Sequence, residues 1–241
     1  MKKLISILLA LALCCMMIPA MAESDSMAGV WYIGRATING EPVVVYDPEA
    51  VTVTLVEDGT GVLTVLSLNQ QIECSWVYAD SVLTLSAEGQ EDLKLPVVDG
   101  EIELAQDPMV LYLTRTPDDT PVDIPGTLTA ESADAFNGTY VPSKMIMMGL
   151  LVNAADAVSG TGSLANMKIE GEKVSFLYEG MDPDVKDFTF ENGVLTNMED
   201  LMVYKTTSTL SLLEDGSVLY TLLTEAAGMS YLTTIFYAPA E

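Results

Sequence analysis

Histidine is absent from the sequence. Its absence excludes Ser-His-Asp and Cys-His nucleophilic catalysis, and it excludes zinc or iron held by histidine. Carboxylate pairs, Ser-Lys arrangements and tyrosine remain available for chemistry, but nothing in their spacing singles any of them out. The sequence therefore predicts a protein that is not an enzyme, with no catalytic residues, no metal site and no cofactor.

Long apolar runs are also missing, except at the start of the chain. Two lysines, an apolar run over residues 4–18 and an Ala-Met-Ala sequence before Glu23 are typical of a signal peptide covering residues 1–22. The run is too short to span a bilayer. Lipid anchoring at the cysteines is not favoured, because Leu13 stands where a lipobox needs a small residue. We expect cleavage before Glu23 and a location outside the cell or in the cell envelope.

Cysteine is scarce, and two of the three cysteines lie in the predicted signal peptide. Cleavage leaves Cys74 as the one thiol, so no intramolecular disulfide can form. A small exported domain without disulfides must be stabilised by its apolar core. Cys74 lies in an alternating run, residues 72–78, where we interpret it as a small buried hydrophobic residue.

Positive charge is low. Without the two lysines of the signal peptide, 8 cationic residues face 35 acidic ones, and the formal charge is −27. This balance argues against binding to nucleic acid or to anionic membrane surfaces. We interpret it first as a source of solubility that favours a monomer, with capture of a cationic peptide or of calcium as the alternative.

Apolar residues alternate with polar ones in short runs, which is typical of half-buried antiparallel strands. Residues 29–115 hold eight or nine such runs, separated by turn residues that tolerate positive φ angles. Strands joined in sequence form a meander, and closure into a barrel removes exposed strand edges. The fold class is therefore predicted to be all-β and mainly antiparallel, with a first small barrel or meander over residues 29–115.

The sequence then predicts a second unit. An acidic, proline-containing linker is predicted over residues 116–136. A second β domain, residues 137–241, opens with Gly-Thr-Tyr140, a weakened copy of Gly-Val-Trp31. Apolar residues spaced at a helical period predict a helix at about residues 145–158, inserted into the second domain or capping its sheet.

A Leu-x-Glu-Asp-Gly hairpin occurs in both halves of the chain, around Asp58 and around Asp215. Asp58 follows Gly29 by 29 positions, whereas Asp215 follows Gly138 by 77. The hairpins therefore do not occupy equivalent places. We interpret the shared turn as a recurring way to reverse a strand and not as proof of exact duplication.

The ends of the first domain resemble the lipocalin pattern. Gly29 and Trp31 open the first strand, about eight hairpin-linked strands follow, and Arg115 ends the last strand. In lipocalins a Gly-x-Trp sequence opens the barrel, and an arginine from its end packs across the tryptophan. The resemblance is to small lipocalin-like modules of exported bacterial proteins, and it implies that Gly29, Trp31 and Arg115 close the barrel without touching a ligand.

The same resemblance implies a barrel that binds a small apolar ligand. Its lining would include Leu63, Cys74, Trp76 and Leu85. A non-catalytic, exported, lipocalin-like binding protein is therefore the first functional hypothesis. The alternative is a structural or protein-interaction module of the bacterial cell envelope, with an envelope protein as its partner, because an eight-stranded barrel can be filled by its own side chains.

Overall fold

The computed structural model describes residues 27–118, 120–157, 164–226 and 229–240. The predicted signal peptide lies outside these residues. Within the described ranges, none of the helical segments reaches the length and hydrophobicity that a membrane crossing requires.

The first unit consists of strands β1–β9, which follow the alternating apolar runs of the sequence. A short 3-10 turn, Leu66–Leu68, joins β4 to β5. The strands are β1 (Gly29–Ile38), β2 (Glu41–Val45), β3 (Val51–Leu55), β4 (Thr60–Val65), β5 (Gln70–Ala79), β6 (Val82–Ser86), β7 (Leu93–Val98), β8 (Glu101–Gln106) and β9 (Met109–Thr114).

Eight strands of the first unit form a closed antiparallel barrel. β3 pairs with β1, each strand from β4 to β9 pairs with the one before it, and β9 returns to β1. β2 stays outside this ring and forms a hairpin with the far end of β1. The prediction of an all-β, mainly antiparallel fold is confirmed.

The second unit consists of β10–β20 and one short helix, α1 (Ala154–Ala157). A 3-10 turn, Ala133–Phe136, precedes β11. The strands are β10 (Thr127–Leu128), β11 (Gly138–Met147), β12 (Leu150–Asn153), β13 (Asn166–Glu170), β14 (Lys173–Leu177), β15 (Asp184–Asp187), β16 (Thr189–Glu191), β17 (Val194–Leu201), β18 (Tyr204–Leu213), β19 (Val218–Ala226) and β20 (Met229–Pro239).

The second unit repeats the strand order of the first. β11 pairs with β12 as a hairpin, with β13 and with β20, as β1 does with β2, β3 and β9. β14 pairs with β13 and with β15, whereas β16, one residue further along, pairs with β17. β17, β18, β19 and β20 then pair in sequence, and β10 lies against β18.

The predicted helix at residues 145–158 is wrong over most of its length. Residues 145–147 end β11, β12 follows after a turn, and only the four residues of α1 are α-helical; Val158 lies outside the described residues. The turn residues Met148 and Gly149 have φ angles of 50° and 78°, which an α-helix cannot contain. The glycine in the middle of the apolar run was the signal against a helix.

Two features recur 109 positions apart in β1 and β11. Trp31 lies in β1 beside β3, and Tyr140 occupies the matching place in β11 beside β13. The positive-φ turn Asn39–Gly40 that leads into β2 recurs as Met148–Gly149 leading into β12. The sequence likeness between the two opening strands therefore reflects a shared backbone plan.

The two Glu-Asp-Gly turns lie at different places in that plan. Asp58 lies between β3 and β4, whereas Asp215 lies between β18 and β19. Both carboxylates fix their turns in the same way. The Oδ1 atom of Asp58 accepts hydrogen bonds from the amide (2.9 Å) and hydroxyl (2.6 Å) of Thr60, and that of Asp215 accepts them from the amide (2.9 Å) and hydroxyl (2.5 Å) of Ser217.

The two units share a sheet through β2 and β12, where Val45 pairs with Leu150. The carbonyl of Gly149 accepts hydrogen bonds from the amides of Tyr46 (2.7 Å) and Asp47 (2.9 Å). A Cβ atom on residue 149 would lie 2.4 Å from the Ala50 Cβ, so only glycine fits there. The β11–β12 turn is therefore docked onto the first unit.

The predicted linker packs against the second unit. Val122 and Ile124 lie against a small cluster that includes the buried Leu213 and Phe236. Phe136, at the end of the predicted linker, is completely buried in the core of the second unit. This segment therefore contributes apolar side chains despite its acidic composition.

Candidate functional site

The predicted closing residues lie together at one end of the first barrel. The Arg115 guanidinium carbon lies 4.5 Å from the centre of the Trp31 ring, and Arg115 donates a hydrogen bond to the Ala28 carbonyl (2.6 Å). Gly29 has a φ angle of 133°, and a Cβ atom there would approach the Arg115 Nη1 atom to 2.6 Å. Trp31 is buried and donates its Nε1 hydrogen to the Met27 carbonyl (3.0 Å). The three predicted closing residues therefore contact one another through the guanidinium of Arg115.

Three of the four residues predicted to line a ligand pocket share one small cavity. Leu63, Cys74 and Leu85 border a cavity of about 40 Å³. Ligand pockets for drug-sized molecules measure roughly 300–1,000 Å³, whereas a cavity of ~40 Å³ holds only a few waters. Trp76 does not line this cavity and instead donates its Nε1 hydrogen to the Val56 carbonyl (2.9 Å). Cys74 also borders a larger groove of about 880 Å³, which Leu63, Trp76 and Leu85 do not line. The four predicted residues therefore meet together in neither of these two spaces.

The Cys74 side chain is half-buried against the core of the first unit. Burial raises the pKa of its thiol, which keeps the sulfur protonated. This environment agrees with a packing role for the residue.

A different set of side chains lines the interior of the second unit. Lys186 on β15 pairs across the sheet with the fully buried Val174, so both side chains face inward. The Lys186 ammonium lies 2.8 and 2.7 Å from the two carboxylate oxygens of Glu199. The two side chains are 26% and 31% exposed, so the ion pair is reached by solvent only in part.

The environment of Lys186 favours its charged form. Burial alone would lower the pKa of the ammonium, but the hydrogen bond and charge of Glu199 outweigh it, with a smaller contribution from Asp184 at 4.0 Å. The net result is a raised pKa. The Lys186 ammonium therefore keeps its charge at physiological pH.

Two hydroxyl groups meet deeper in the same interior. The Ser208 Oγ and Tyr220 hydroxyl oxygens lie 3.2 Å apart in a buried hydrogen bond. The Tyr220 ring lies 5.7 Å from the ring of Phe176 and 6.3 Å from that of Tyr237, centre to centre. Burial raises the pKa of Tyr220; the Ser208 hydrogen bond and the Lys186 charge act in the opposite direction.

Tyr237 is the most informative residue of this interior. It is 2% exposed, and its hydroxyl makes no hydrogen bond with any described residue. Yet the described chain contains no solvent-inaccessible side-chain oxygen or nitrogen without a partner. The small exposed area of Tyr237 must therefore include its hydroxyl oxygen. Burial, followed by Tyr220 and Tyr178, raises the pKa of this hydroxyl.

We call these residues the inner polar site. It consists of Tyr178, Lys186, Glu199, Ser208, Tyr220 and Tyr237. Tyr178 belongs to it because its hydroxyl acts electrostatically on both Tyr220 and Tyr237. None of these residues was a predicted site residue.

A signal for this site is nevertheless present in the sequence. On β17 the residues that follow the buried Leu195 at every second position are Asn197 and Glu199, and on β18 Ser208 precedes the buried Leu210 by two. An inward-facing row that changes from apolar to polar along a strand indicates that one end of the interior is not an apolar core.

Comparison with known proteins yields one structural similarity. No protein-family model matches the chain, and no curated protein matches it. The crystal structure of "a putative outer membrane protein" from Bacteroides fragilis is similar to 90% of this chain and 98% of its own, with 9% sequence identity and a TM-score of 0.25. At that TM-score nothing about the function of this chain follows from the similarity.

Proposed function

We propose that the protein is an exported, non-catalytic, monomeric binding module of the cell envelope or its surroundings. In this proposal the chain forms two tandem barrels, of which the first is a filled scaffold and the second binds a ligand. The observation that carries the proposal is the hydroxyl of Tyr237, which makes no hydrogen bond with any described residue although the side chain is 2% exposed. In the first unit, the cavity that Leu63, Cys74 and Leu85 share measures only about 40 Å³.

The pairing pattern supports two barrels of one plan. β15 and β16 are separated only by the buried Phe188, whose amide continues the β14 ladder by donating to the Glu172 carbonyl (2.7 Å). Counted as one bent strand, they bring the ring of the second unit to eight strands, as in the first. Arg115 stacked on Trp31 supports the resemblance to lipocalins as part of this proposal.

The chemistry of the inner polar site favours binding over catalysis. A general base needs a pKa near the working pH. The pKa values of Tyr220 and Tyr237 are raised, and Lys186 is held as an ion pair by Glu199. These groups therefore keep their protons at neutral pH and act as hydrogen-bond donors and acceptors.

A ligand screen on protein labelled with 3-fluorotyrosine tests the proposal. The probes are separate pools of neutral sugars, fatty acids, amines and small organic acids, and the readout is the ¹⁹F NMR spectrum, assigned with single Tyr-to-Phe variants. We expect at least one pool to shift the Tyr220 and Tyr237 resonances while leaving that of Tyr46, on the first unit, in place. No shift at Tyr220 or Tyr237 with any pool would contradict the proposal.

A protein-interaction module is the second candidate, and an exposed apolar turn favours it. Met202 is fully exposed and Val203 is 76% exposed at the tip of the β17–β18 hairpin. Turns such as Asn39–Gly40, Asp99–Gly100 and Asn192–Gly193 use Asn or Asp with Gly, whereas the apolar turn Met148–Gly149 is docked onto the first unit. At Met148–Gly149, an apolar turn of this chain thus packs against another part of the protein, the first unit.

Replacing the exposed turn tests this candidate without removing a core residue. The double variant Met202→Asn, Val203→Gly gives the hairpin the turn chemistry of Asn39–Gly40 and is expected to fold. If the tip binds a protein, cross-linking to an envelope fraction yields a specific adduct with the wild type and none with the variant. The same adducts with both would exclude the tip as the contact.

A further inference from the structure

We propose that the inner polar site binds a neutral sugar, either free or as a residue of a polysaccharide. This inference rests on the proposed function and narrows it to one chemical class. The features that carry it are the converging hydroxyl groups, the internal neutralisation of charge, and the aromatic rings beside them.

The hydroxyl groups of the inner polar site favour a ligand that carries hydroxyl groups itself. The hydroxyls of Tyr220 and Ser208 already share one hydrogen bond, but each retains further capacity to donate or accept. The Tyr237 hydroxyl retains all of its capacity, and Tyr178 is 39% exposed at the edge of the same group. A buried hydroxyl is satisfied best by a partner that both donates and accepts hydrogen bonds, as sugar hydroxyls do.

The charges of the site disfavour an ionic ligand. Lys186 is the cation of the inner polar site, and its ammonium is engaged by both carboxylate oxygens of Glu199. An anion binding to Lys186 would have to displace Glu199, and a cation binding to Glu199 would have to displace Lys186. Either exchange leaves a partly buried charge without its partner, which is costly. An uncharged ligand avoids that cost.

The rings beside the polar groups match the less polar faces of a sugar ring. Phe176 is 7% exposed and packs against Tyr220, whose ring in turn lies against Tyr237. Aromatic surface next to a few placed polar groups is the usual composition of a small-molecule site. A fatty acid would instead place its chain against Lys186, Glu199 and Ser208, where it could not satisfy their hydrogen bonds.

Titration calorimetry with defined sugars tests this inference. The probes are methyl glycosides of neutral hexoses and pentoses, together with glucuronic acid and glucosamine as charged counterparts of similar shape. We expect at least one neutral glycoside to bind more tightly than both charged sugars. Binding of a charged sugar in preference to every neutral one would overturn the inference.

The variant Tyr237→Phe links binding to the site. It removes a hydroxyl that makes no hydrogen bond with any described residue, so the fold is expected to be retained. Loss of one hydrogen bond to the ligand should weaken sugar binding about three- to tenfold. The matched variant Tyr46→Phe removes a hydroxyl from an exposed tyrosine of the first unit and should leave the affinity unchanged. Equal effects of the two variants would overturn the assignment of the site.

Two further comparisons separate the possible results. If a free glycoside binds, a free sugar is a sufficient ligand. If no glycoside binds but the protein co-sediments with an insoluble neutral polysaccharide, the polymer is the ligand. Both results support the inference. If no sugar binds in either form, the sugar assignment is wrong; the proposed function then stands only if another pool shifts the Tyr237 resonance in the ¹⁹F screen.

Discussion

The two units follow one strand order but differ in what faces inward. In the first unit, inward residues such as Leu83, Ile102 and Leu111 are completely buried. In the second, an ion pair and several hydroxyls occupy part of the interior, next to apolar residues such as Leu195 and Leu210 that are also completely buried. The alternation of residues sets the strand order in both units, whereas the chemistry of the inward residues decides whether the interior is wholly apolar or contains polar groups.

The matching positions of Trp31 and Tyr140 show how far the likeness extends. Each side chain is buried and donates a hydrogen bond to the carbonyl four residues earlier, Trp31 to Met27 (3.0 Å) and Tyr140 to Phe136 (2.9 Å). The hydrogen bond spans four residues in both strands, although tryptophan in β1 is replaced by tyrosine in β11. The difference between the units therefore lies in their interiors and not in how their first strands are anchored.

The largest expected effect comes from comparing two inward leucines. Leu83→Ala in the filled first barrel should lower the free energy of unfolding by about 2–5 kcal/mol, because it leaves a cavity in a packed core. Leu222→Ala, at a half-buried inward position of the second unit, should cost clearly less. Urea unfolding measures both. Equal losses would mean that the second interior is as tightly filled as the first.

A smaller effect is expected from the ion pairs of β15. Lys186→Met leaves Glu199 partly buried without its partner and should destabilise the protein by ~1 kcal/mol, since solvent screens part of the interaction. Lys173→Met breaks a much more exposed pair with Asp187 (2.8 Å) and should have little effect. Thermal unfolding compares the two variants. A greater loss for Lys173→Met would contradict the inward placement of Lys186.

Alkaline pH should weaken the second unit through its buried tyrosines. In the unfolded chain tyrosine titrates near pH ~10, whereas the raised pKa values of Tyr220 and Tyr237 keep both protonated to higher pH when the protein is folded. Above pH ~10 the unfolded state therefore binds fewer protons, and stability falls as the pH rises. Tyr237→Phe should reduce the steepness of this fall in urea titrations across that range. An unchanged slope would contradict the burial of the hydroxyl.

The smallest effects concern the two Glu-Asp-Gly turns. Asp58→Ala and Asp215→Ala each remove the hydrogen bonds that lower the pKa of the carboxyl. The loss of stability should be greater for Asp215→Ala. Ser217 is buried, so water does not replace the carboxylate that accepts its hydrogen bonds, whereas the exposed Thr60 can donate to water instead. Differential scanning calorimetry should show a larger drop in Tm for Asp215→Ala. The reverse order would contradict this account of the turns.

Turn chemistry and alternation made the strands predictable from the sequence. Turns such as Asn39–Gly40 and Asp99–Gly100 lie where positive φ angles are needed. The helix at 145–158 was predicted wrongly because apolar residues on both faces of β12 imitate a helical period. Leu150, Leu151 and Val152 are all buried since β12 packs between the units, and that contact is not visible in the local sequence.

The site could not be found in the same way. The family resemblance predicted a ligand pocket in the first barrel, where Leu63 and Leu85 border a cavity of only about 40 Å³. The inner polar site brings together residues from five strands, β15, β17, β18, β19 and β20, with Tyr178 directly after the end of β14. Spacing within one strand, as from Leu195 to Glu199, indicates a polar interior position. It does not indicate which other strand supplies the partner.

The most direct test of the central claim is the solvent isotope shift of Tyr237. In protein labelled with 3-fluorotyrosine, the ¹⁹F resonance of a ring in contact with solvent moves when H₂O is replaced by D₂O. We expect a shift for Tyr237 despite its burial, and none for Tyr140, which is also buried but whose hydroxyl donates to the Phe136 carbonyl. Identical, unshifted resonances for both tyrosines would show that the second interior is closed, as the first is, and would contradict the claim.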